Sequence, residues 1–135
     1  MTLAQDPKLT SMLQDLTSLD HHTINSLYIL ETQGLKDFLS KQIKKFLERG
    51  PEAYQECEAT FARNDWPAAR ETIHKLIGWA GMIGATHLRL AGQALEATID
   101  RKEIPSSEQL SQFNRAWLQT NGDFQKLVAR LLQRN

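Results

Sequence analysis

The chain has 135 residues, and its 16 basic and 16 acidic side chains give a formal net charge of zero at pH 7. A chain of this length can form one domain with a buried core and needs no disulfide or metal for stability. The balanced charge, without long runs of one sign, argues against nucleic-acid binding and against a membrane-surface patch. No apolar run is long enough to span a membrane.

Two further features indicate the compartment. The residues that follow Met1 lack the basic and then apolar pattern of a secretory signal. Cys57 is the single cysteine, so it cannot form an internal disulfide and is most simply a small apolar residue on a helix face. We therefore expect a cytoplasmic protein.

Apolar residues recur at helical spacing along almost the whole chain, and no segment alternates as a half-buried strand would. At the start of the chain, Asp6 is a predicted N-cap and Pro7 a first helical residue, which together begin a short helix. This helix belongs to an N-terminal extension, residues 1–19. A second short segment, residues 23–33, is predicted to end at Gly34.

The next amphipathic stripe starts at Leu35 and is predicted to close at Gly50-Pro51, because proline breaks a helix interior. Beyond this point the apolar residues continue at intervals of three and four, and they are Tyr54, Cys57 and Phe61.

Two further helices are predicted to follow, joined by a tight turn. Asn64 and Asp65 form a turn and a cap before a helix over residues 66–84. Another stripe covers residues 88–99 and is broken in the segment that contains Pro105.

The last helix is introduced by Ser106 and Gln109, which have capping-box spacing. Gly122 is a candidate kink or division within it. Short connections between helices of this length favour antiparallel neighbours. The predicted fold is all-α: an up-down antiparallel four-helix bundle over about residues 20–135, with additional short N-terminal helices packed alongside. We expect one domain, residues 1–135.

One histidine stands apart from the apolar pattern. On a helical wheel at about 100° per residue, one continuous face holds Trp66, Ala69, Ile73, Leu76, Ile77, Ala80 and Ile83. His74 lies outside this face, with Arg70 and Gly81 on one side and Gly78 and Glu71 on the other. We therefore predict that His74 is exposed in the middle of a helix and is not a core residue.

The two glycines beside His74 are costly, since each destabilises a helix interior by roughly 1 kcal/mol relative to alanine. Gly78 and Gly81 would let a partner approach the backbone closely around an exposed imidazole. The alternative is that they permit tight packing of neighbouring helices.

Glu96 is predicted to reach the same height as His74. His74 lies ten residues before Gly84, and Glu96 lies twelve residues after it, on the antiparallel helix. Its carboxylate could accept a hydrogen bond from Nδ1 of the imidazole and so leave Nε2 as the nucleophile. The alternative is a solvated glutamate.

The segment from His74 to Glu96 reads HKLIGWAGMIGATHLRLAGQALE, and it resembles the signature of histidine phosphotransfer (HPt) domains. The residues that match are His74, Leu76, Gly78, Gly84, Ala85, Leu88, Leu95 and Glu96. The preceding segment, FLSKQIKKFLERGPEAYQECEATFARNDW, is also similar to the family. The resemblance covers about residues 20–99, and the last helix matches only in character.

The resemblance implies a four-helix bundle that relays a phosphoryl group between receiver-domain aspartates, from a hybrid sensor kinase to a response regulator. It assigns His74 as the phosphoacceptor, Gly78 as the position of close approach and Glu96 as the partner of Nδ1. Because receiver domains bring the Mg²⁺ and most of the catalytic groups, the resemblance implies no cofactor and no nucleotide here. We expect a monomeric phosphocarrier without kinase activity of its own.

The sequence departs from the family at two positions. Ile77 stands where the family usually has a lysine that helps to neutralise the phosphoryl group. Arg70 and Lys75 could supply this charge, and with Gly78 and Gly81 they are the predicted phosphate- and partner-binding residues. Trp79 replaces a small polar residue and is expected either to pack against a neighbouring helix or to enlarge a docking patch.

Two other classes of function are less well supported. Glu71 and His74 form an E-x-x-H pair of the kind found in di-iron bundles, but such a site needs a second pair and inward-facing ligands. No zinc-ligand spacing joins the histidines, so we expect no metal site. A sensor-kinase dimerisation hairpin would have an acidic residue directly after the histidine, where this chain has Lys75.

The serious alternative is an adaptor that keeps the HPt bundle and binds a receiver domain or a kinase without carrying phosphate. Ile77 favours the adaptor, whereas the combination of His74, Gly78 and Glu96 favours active transfer.

Overall fold

A computed structural model describes residues 6–133 of the chain. This range contains no strand, and its helices are α1 (Pro7–Leu13), α2 (His21–Thr32), α3 (Phe38–Ala62), α4 (Trp66–Met82), α5 (Thr86–Asp100) and α6 (Ser107–Leu132). The predicted all-α class is confirmed. Residues 1–5 and 134–135 of the predicted domain lie outside the described range.

The helix ends follow the capping residues that the sequence contains. The Asp6 side chain accepts hydrogen bonds from two backbone N–H groups of α1, and Pro7 is the first residue of that helix. Asp65 caps α4 through the N–H of Ala68. Ser106 and Gln109 form the predicted capping box of α6. Each cap satisfies N–H groups that have no partner within their own helix.

The four long helices form the bundle. α3 packs against α4, α4 against α5 and α5 against α6. Because α3 also contacts α6, the four helices enclose one core. The short turns between them make successive helices antiparallel. The largest fully buried bundle residues are Phe46, Phe113, Phe124, Leu39, Ile43, Ile73, Leu76 and Leu88. None of the helices within residues 6–133 has both the length and the hydropathy needed to cross a membrane.

The predicted end of a helix at Gly50-Pro51 is wrong, because α3 continues through both residues to Ala62. Proline removes one backbone hydrogen bond and costs about 3 kcal/mol in a helix interior. Pro51 itself is exposed, while residues on both sides of it pack in the core. Gly50 lies under the indole of Trp117, and a Cβ there would be 2.9 Å from the Trp117 Cη2 atom. Tyr54 and Cys57, on the next turns, are buried.

Two smaller expectations also need correction. Leu35 was expected to open the stripe of the third helix, but it precedes α3 and is 49% exposed. It lies just after Gly34, whose φ of +107° ends the preceding segment as predicted. At Gly122, α6 continues and is not divided.

The N-terminal extension is fastened to α6 by polar contacts. Arg130 donates to the backbone oxygen of Met12 (2.6 Å) and to the carboxylate of Asp15 (2.7 Å). The buried Asp123 carboxylate accepts hydrogen bonds from both the N–H and the hydroxyl of Ser18. Residues 12–18 of the extension therefore lie against the side of the bundle formed by α6.

Candidate functional site

His74 lies in the middle of α4 and points away from the core. Its side chain is 68% exposed, whereas Ile73 and Leu76 on the opposite face are buried. This arrangement follows from the helical period, since the apolar residues of α4 occupy one face and His74 lies outside it. The prediction of an exposed mid-helix imidazole agrees with the structure.

Glu96 of α5 lies beside His74, and its side chain is only 11% exposed. The distance from His74 Nδ1 to Glu96 Oε2 is 2.9 Å. An ionised carboxylate only accepts hydrogen bonds, so Nδ1 must carry the proton in this pair. The proton on Nδ1 leaves the lone pair of Nε2 free and directed toward solvent.

The turn between α4 and α5 sets this register. Gly84 has a φ of +85°, which glycine adopts without strain, and its oxygen accepts a hydrogen bond from the N–H of Asp20. The backbone N–H of Ala85 closes the turn on the oxygen of Ala80 (2.8 Å). The two helices therefore leave the turn in antiparallel register, which brings residues equally far from its centre to the same height.

Arg70 lies one turn before His74 and is held by two carboxylates. Its Nε and Nη2 donate to Asp100 Oδ1 and Oδ2 at 2.7 and 3.3 Å. Its Nη1 lies 3.6 Å from Glu96 Oε2, the same oxygen that contacts His74. The hydrogen bond from Arg70 lowers the pKa of Asp100 below its usual value, and Asp100 in turn raises the pKa of Arg70. The positive charge of Arg70, which was predicted to help bind a phosphoryl group, is thus already shared between the carboxylates of Asp100 and Glu96.

The two glycines of α4 differ in their surroundings. A Cβ at Gly78 would meet no atom within 4 Å, so the backbone there is open to an incoming partner. A Cβ at Gly81 would lie 2.9 Å from Cδ of Arg89, because this side chain crosses over the glycine. Lys75 is exposed and has no ion pair among residues 6–133.

Beside His74, the groove between α4 and α5 opens into a cavity of about 370 Å³. The residues that line it are His74, Ile77, Gly78, Gly81, Met82, Arg89, Gln93 and Glu96. This cavity brings two of the predicted binding residues, Gly78 and Gly81, together with His74 and Glu96. Arg70 lies on the other side of His74, in a second cavity with Asp100. The predicted site is therefore a continuous surface along α4 with the imidazole near its centre.

The two positions that depart from the HPt pattern face inward. Ile77 is 5% exposed. The ring of Trp79 is half-buried and meets Phe46 of α3 edge-on, with 5.0 Å between the ring centroids. Of the two alternatives for Trp79, packing against a neighbouring helix is the one observed.

Sequence reasoning missed Asp100 and Arg89. The same count that placed Glu96 level with His74 would have found both residues, because the helices are antiparallel. Asp100 is four positions after Glu96, as Arg70 is four before His74, and Arg89 is seven before Glu96, as Gly81 is seven after His74. The antiparallel alignment of α4 and α5 therefore indicated both residues, whereas no local sequence motif did.

The sequence model of the Hpt domain matches residues 43–134, which is more than half of the chain. The chain belongs to the Hpt domain family. Comparisons with curated proteins and with solved structures gave no significant match. The matched range starts later than the resemblance predicted and, unlike it, includes the last helix, α6.

Membership in the Hpt family assigns the chain to histidine phosphotransfer in two-component signalling. Hpt domains interact with receiver domains of response regulators and of kinases. Within residues 6–133, no three side chains of histidine, cysteine, aspartate or glutamate are grouped so that they could hold a metal ion.

Proposed function

We propose that this Hpt domain is a phosphocarrier that takes a phosphoryl group from a receiver-domain aspartate onto His74 and passes it to another. The direction we propose is from a hybrid sensor kinase to a response regulator. His74 carries this proposal, because its ring combines 68% exposure with a fixed Nδ1 contact to Glu96. An exposed Nε2 with a free lone pair is the group that a nucleophilic transfer needs.

In the proposed step, the Nε2 lone pair of His74 attacks phosphorus in the acyl phosphate of the receiver. The N–P bond forms and the bond from phosphorus to the aspartyl oxygen breaks, so the receiver regains its carboxylate. The imidazole becomes cationic while it keeps its proton on Nδ1. The carboxylate of Glu96, hydrogen-bonded to Nδ1, stabilises this positive charge and requires no further proton transfer.

The surface around the ring supports docking of a receiver domain. The exposed backbone at Gly78, with no atom near the position of a Cβ, lets a partner come close to the imidazole. Gly81 extends this surface toward Arg89, and Lys75 offers an exposed ammonium group beside His74. We propose Lys75, Gly78 and Gly81 as phosphate- or partner-binding residues, and Arg70, at the edge of the site, as a partner-binding residue.

The second candidate is an adaptor that binds a receiver domain or a kinase without phosphate. The burial of Ile77, where the family usually has lysine, favours it, because this position offers no cation to the phosphoryl group. The hydrogen-bonded pair of His74 and Glu96 favours the phosphocarrier, since binding alone does not need an oriented imidazole.

Phosphoryl uptake from phosphorylated receiver domains tests the proposal. Wild type, His74→Gln and His87→Gln are compared, and the product is checked for the acid lability of phosphohistidine. His87 is an exposed histidine of α5 and serves as the matched control. We expect acid-labile label on wild type and His87→Gln only. Binding to a receiver without label from any of several receivers would instead establish the adaptor.

We further propose that the protein is cytoplasmic and monomeric and has no kinase activity of its own. The buried, unpaired thiol of Cys57 agrees with a reducing compartment. Incubation with ATP alone, without receiver, should leave His74 unlabelled.

A further inference from the structure

Four side chains form a continuous line of polar contacts across the groove between α4 and α5. Asp100 binds the guanidinium of Arg70 through two hydrogen bonds, and Arg70 Nη1 lies 3.6 Å from Glu96 Oε2. That oxygen accepts from His74 Nδ1 at 2.9 Å. Each helix thus contributes two residues, one turn apart, to a line that ends at the imidazole.

Glu96 needs support to hold this geometry. Its side chain is 11% exposed, and a buried carboxylate is costly unless charged or hydrogen-bonding groups compensate it. A glutamate also has several rotamers, so a single hydrogen bond to an exposed imidazole constrains it weakly. Arg70 supplies the second contact, and it leaves the position of Oε2 defined from two sides.

Arg70 in turn is oriented by Asp100. The guanidinium is a planar, rigid fork, so two hydrogen bonds along one edge fix the direction of the remaining nitrogen. With Nε and Nη2 on Asp100, Nη1 is the nitrogen directed toward Glu96. Without Asp100, the exposed Arg70 side chain would be free to leave the groove.

We propose that Asp100 is a positioning residue for phosphotransfer, which acts through Arg70 and Glu96 to hold His74 in the Nδ1-protonated form. This inference rests on the proposed phosphocarrier function. It also gives Arg70 a different task from direct contact with the phosphoryl group, because its charge orients Glu96.

The two tasks of Arg70 predict opposite effects of removing Asp100. If Arg70 positions Glu96, loss of Asp100 loosens the line and slows phosphorylation of His74. If Arg70 binds the phosphoryl group, loss of Asp100 removes a carboxylate that competes for Arg70. Phosphorylation then becomes faster, or the phosphohistidine lives longer. The sign of the change therefore separates the two.

The experiment compares wild type with Asp100→Ala, Asp100→Glu and Glu103→Ala. Glu103 pairs with Arg101 and lines the same cavity as Arg70 and Asp100. Within residues 6–133 no hydrogen bond or ion pair joins its side chain to Arg70 or Glu96, so its variant is the matched control. The first readout is the ¹⁵N NMR signature of His74, which gives the fraction of the ring protonated at Nδ1. The second is the rate of phosphohistidine formation from phosphoramidate, a small donor that needs no docking surface.

We expect Asp100→Ala to lower the Nδ1-protonated fraction and to slow phosphorylation roughly three- to tenfold, the scale of one weakened charged hydrogen bond. Asp100→Glu should recover part of both, and Glu103→Ala should match wild type. Unchanged readouts in Asp100→Ala, or faster phosphorylation, would overturn the inference. If receivers fail to phosphorylate even the wild type, the phosphocarrier proposal fails, while the NMR signature still decides the role of Asp100.

Discussion

Gly92 of α5 lies against the side chain of Ile77 of α4 so closely that a Cβ at residue 92 would overlap Ile77 Cγ2. This is the tightest approach that any glycine of residues 6–133 makes to a neighbouring helix. It occurs one turn from the hydrogen-bonded pair of His74 and Glu96. The absence of a side chain at Gly92 therefore sets the spacing of the two helices at the site.

Gly92→Ala should lower the free energy of unfolding by about 1–3 kcal/mol, because the added methyl group overpacks the interface. The helices would be pushed apart beside Glu96, so phosphorylation of His74 should also slow. Urea denaturation followed by circular dichroism measures the first effect, and uptake from phosphoramidate measures the second. A Gly92→Ala protein as stable as wild type would show that the interface yields easily and that Gly92 does not set the spacing.

Gly78→Ala should separate stability from function. A Cβ at Gly78 meets nothing within 4 Å, so the substitution should raise the free energy of unfolding by about 0.5–1 kcal/mol through helix propensity. The same methyl group would stand where a receiver approaches His74. Transfer from a phosphorylated receiver should therefore slow roughly tenfold or more.

Gly122→Ala is the matched control for this prediction. Gly122 is also helical and has open space around its Cβ position, but it lies on α6. It should give the same gain in stability with wild-type transfer. If Gly78→Ala and Gly122→Ala both transfer at the wild-type rate, Gly78 is not a position of close approach.

The helical period and the short connection between α4 and α5 were enough to predict much of this site. Exposure of His74 follows from the positions of its apolar neighbours, and the height of Glu96 follows from counting across Gly84. Contacts between distant segments were beyond such reasoning. Pro51 looked like a helix end because the supporting ring, Trp117, lies far along the chain. For the same reason the direction of Trp79 depended on the position of Phe46 in α3.

The pairing of Arg70 shows a second limit. Its place on the helical wheel was predicted, but its function depends on which neighbours its flexible side chain reaches. Both Asp100 and Glu96 are within reach from the opposite helix. Only the side-chain geometry shows that the guanidinium is already bound.

Glu96→Gln should preserve the fold and slow the chemical step. The amide oxygen of glutamine can still accept from Nδ1, but it carries no charge to stabilise the cationic imidazole that forms during transfer. We expect a loss of roughly tenfold or more in the single-turnover rate at saturating receiver, the scale of about 1.5 kcal/mol. Quench-flow with a phosphorylated receiver measures this rate.

Receiver affinity is the control for Glu96→Gln. Because the Glu96 side chain is largely buried, its replacement should leave the dissociation constant of the receiver almost unchanged. A slower rate that arises only from weaker binding would indicate that Glu96 shapes the docking surface and does not act on His74.

Asp15→Asn should make stability less sensitive to acid. The hydrogen bond from Arg130 lowers the pKa of Asp15 from 3.8 to about 2 in the folded protein. A depressed carboxyl pKa contributes stability that is fully present above 3.8 and is lost as the pH falls through about 2. The stability difference between wild type and Asp15→Asn should thus be constant from neutral pH down to about 5, and it should shrink between about 4 and 2.

Because the side chains of Asp15 and Arg130 are both partly exposed, high salt should reduce this stability difference at every pH. Urea midpoints at a series of pH values, with and without added salt, measure it. A difference that persists unchanged to pH 2 would mean that the charge of Asp15 does not fasten the N-terminal extension to α6.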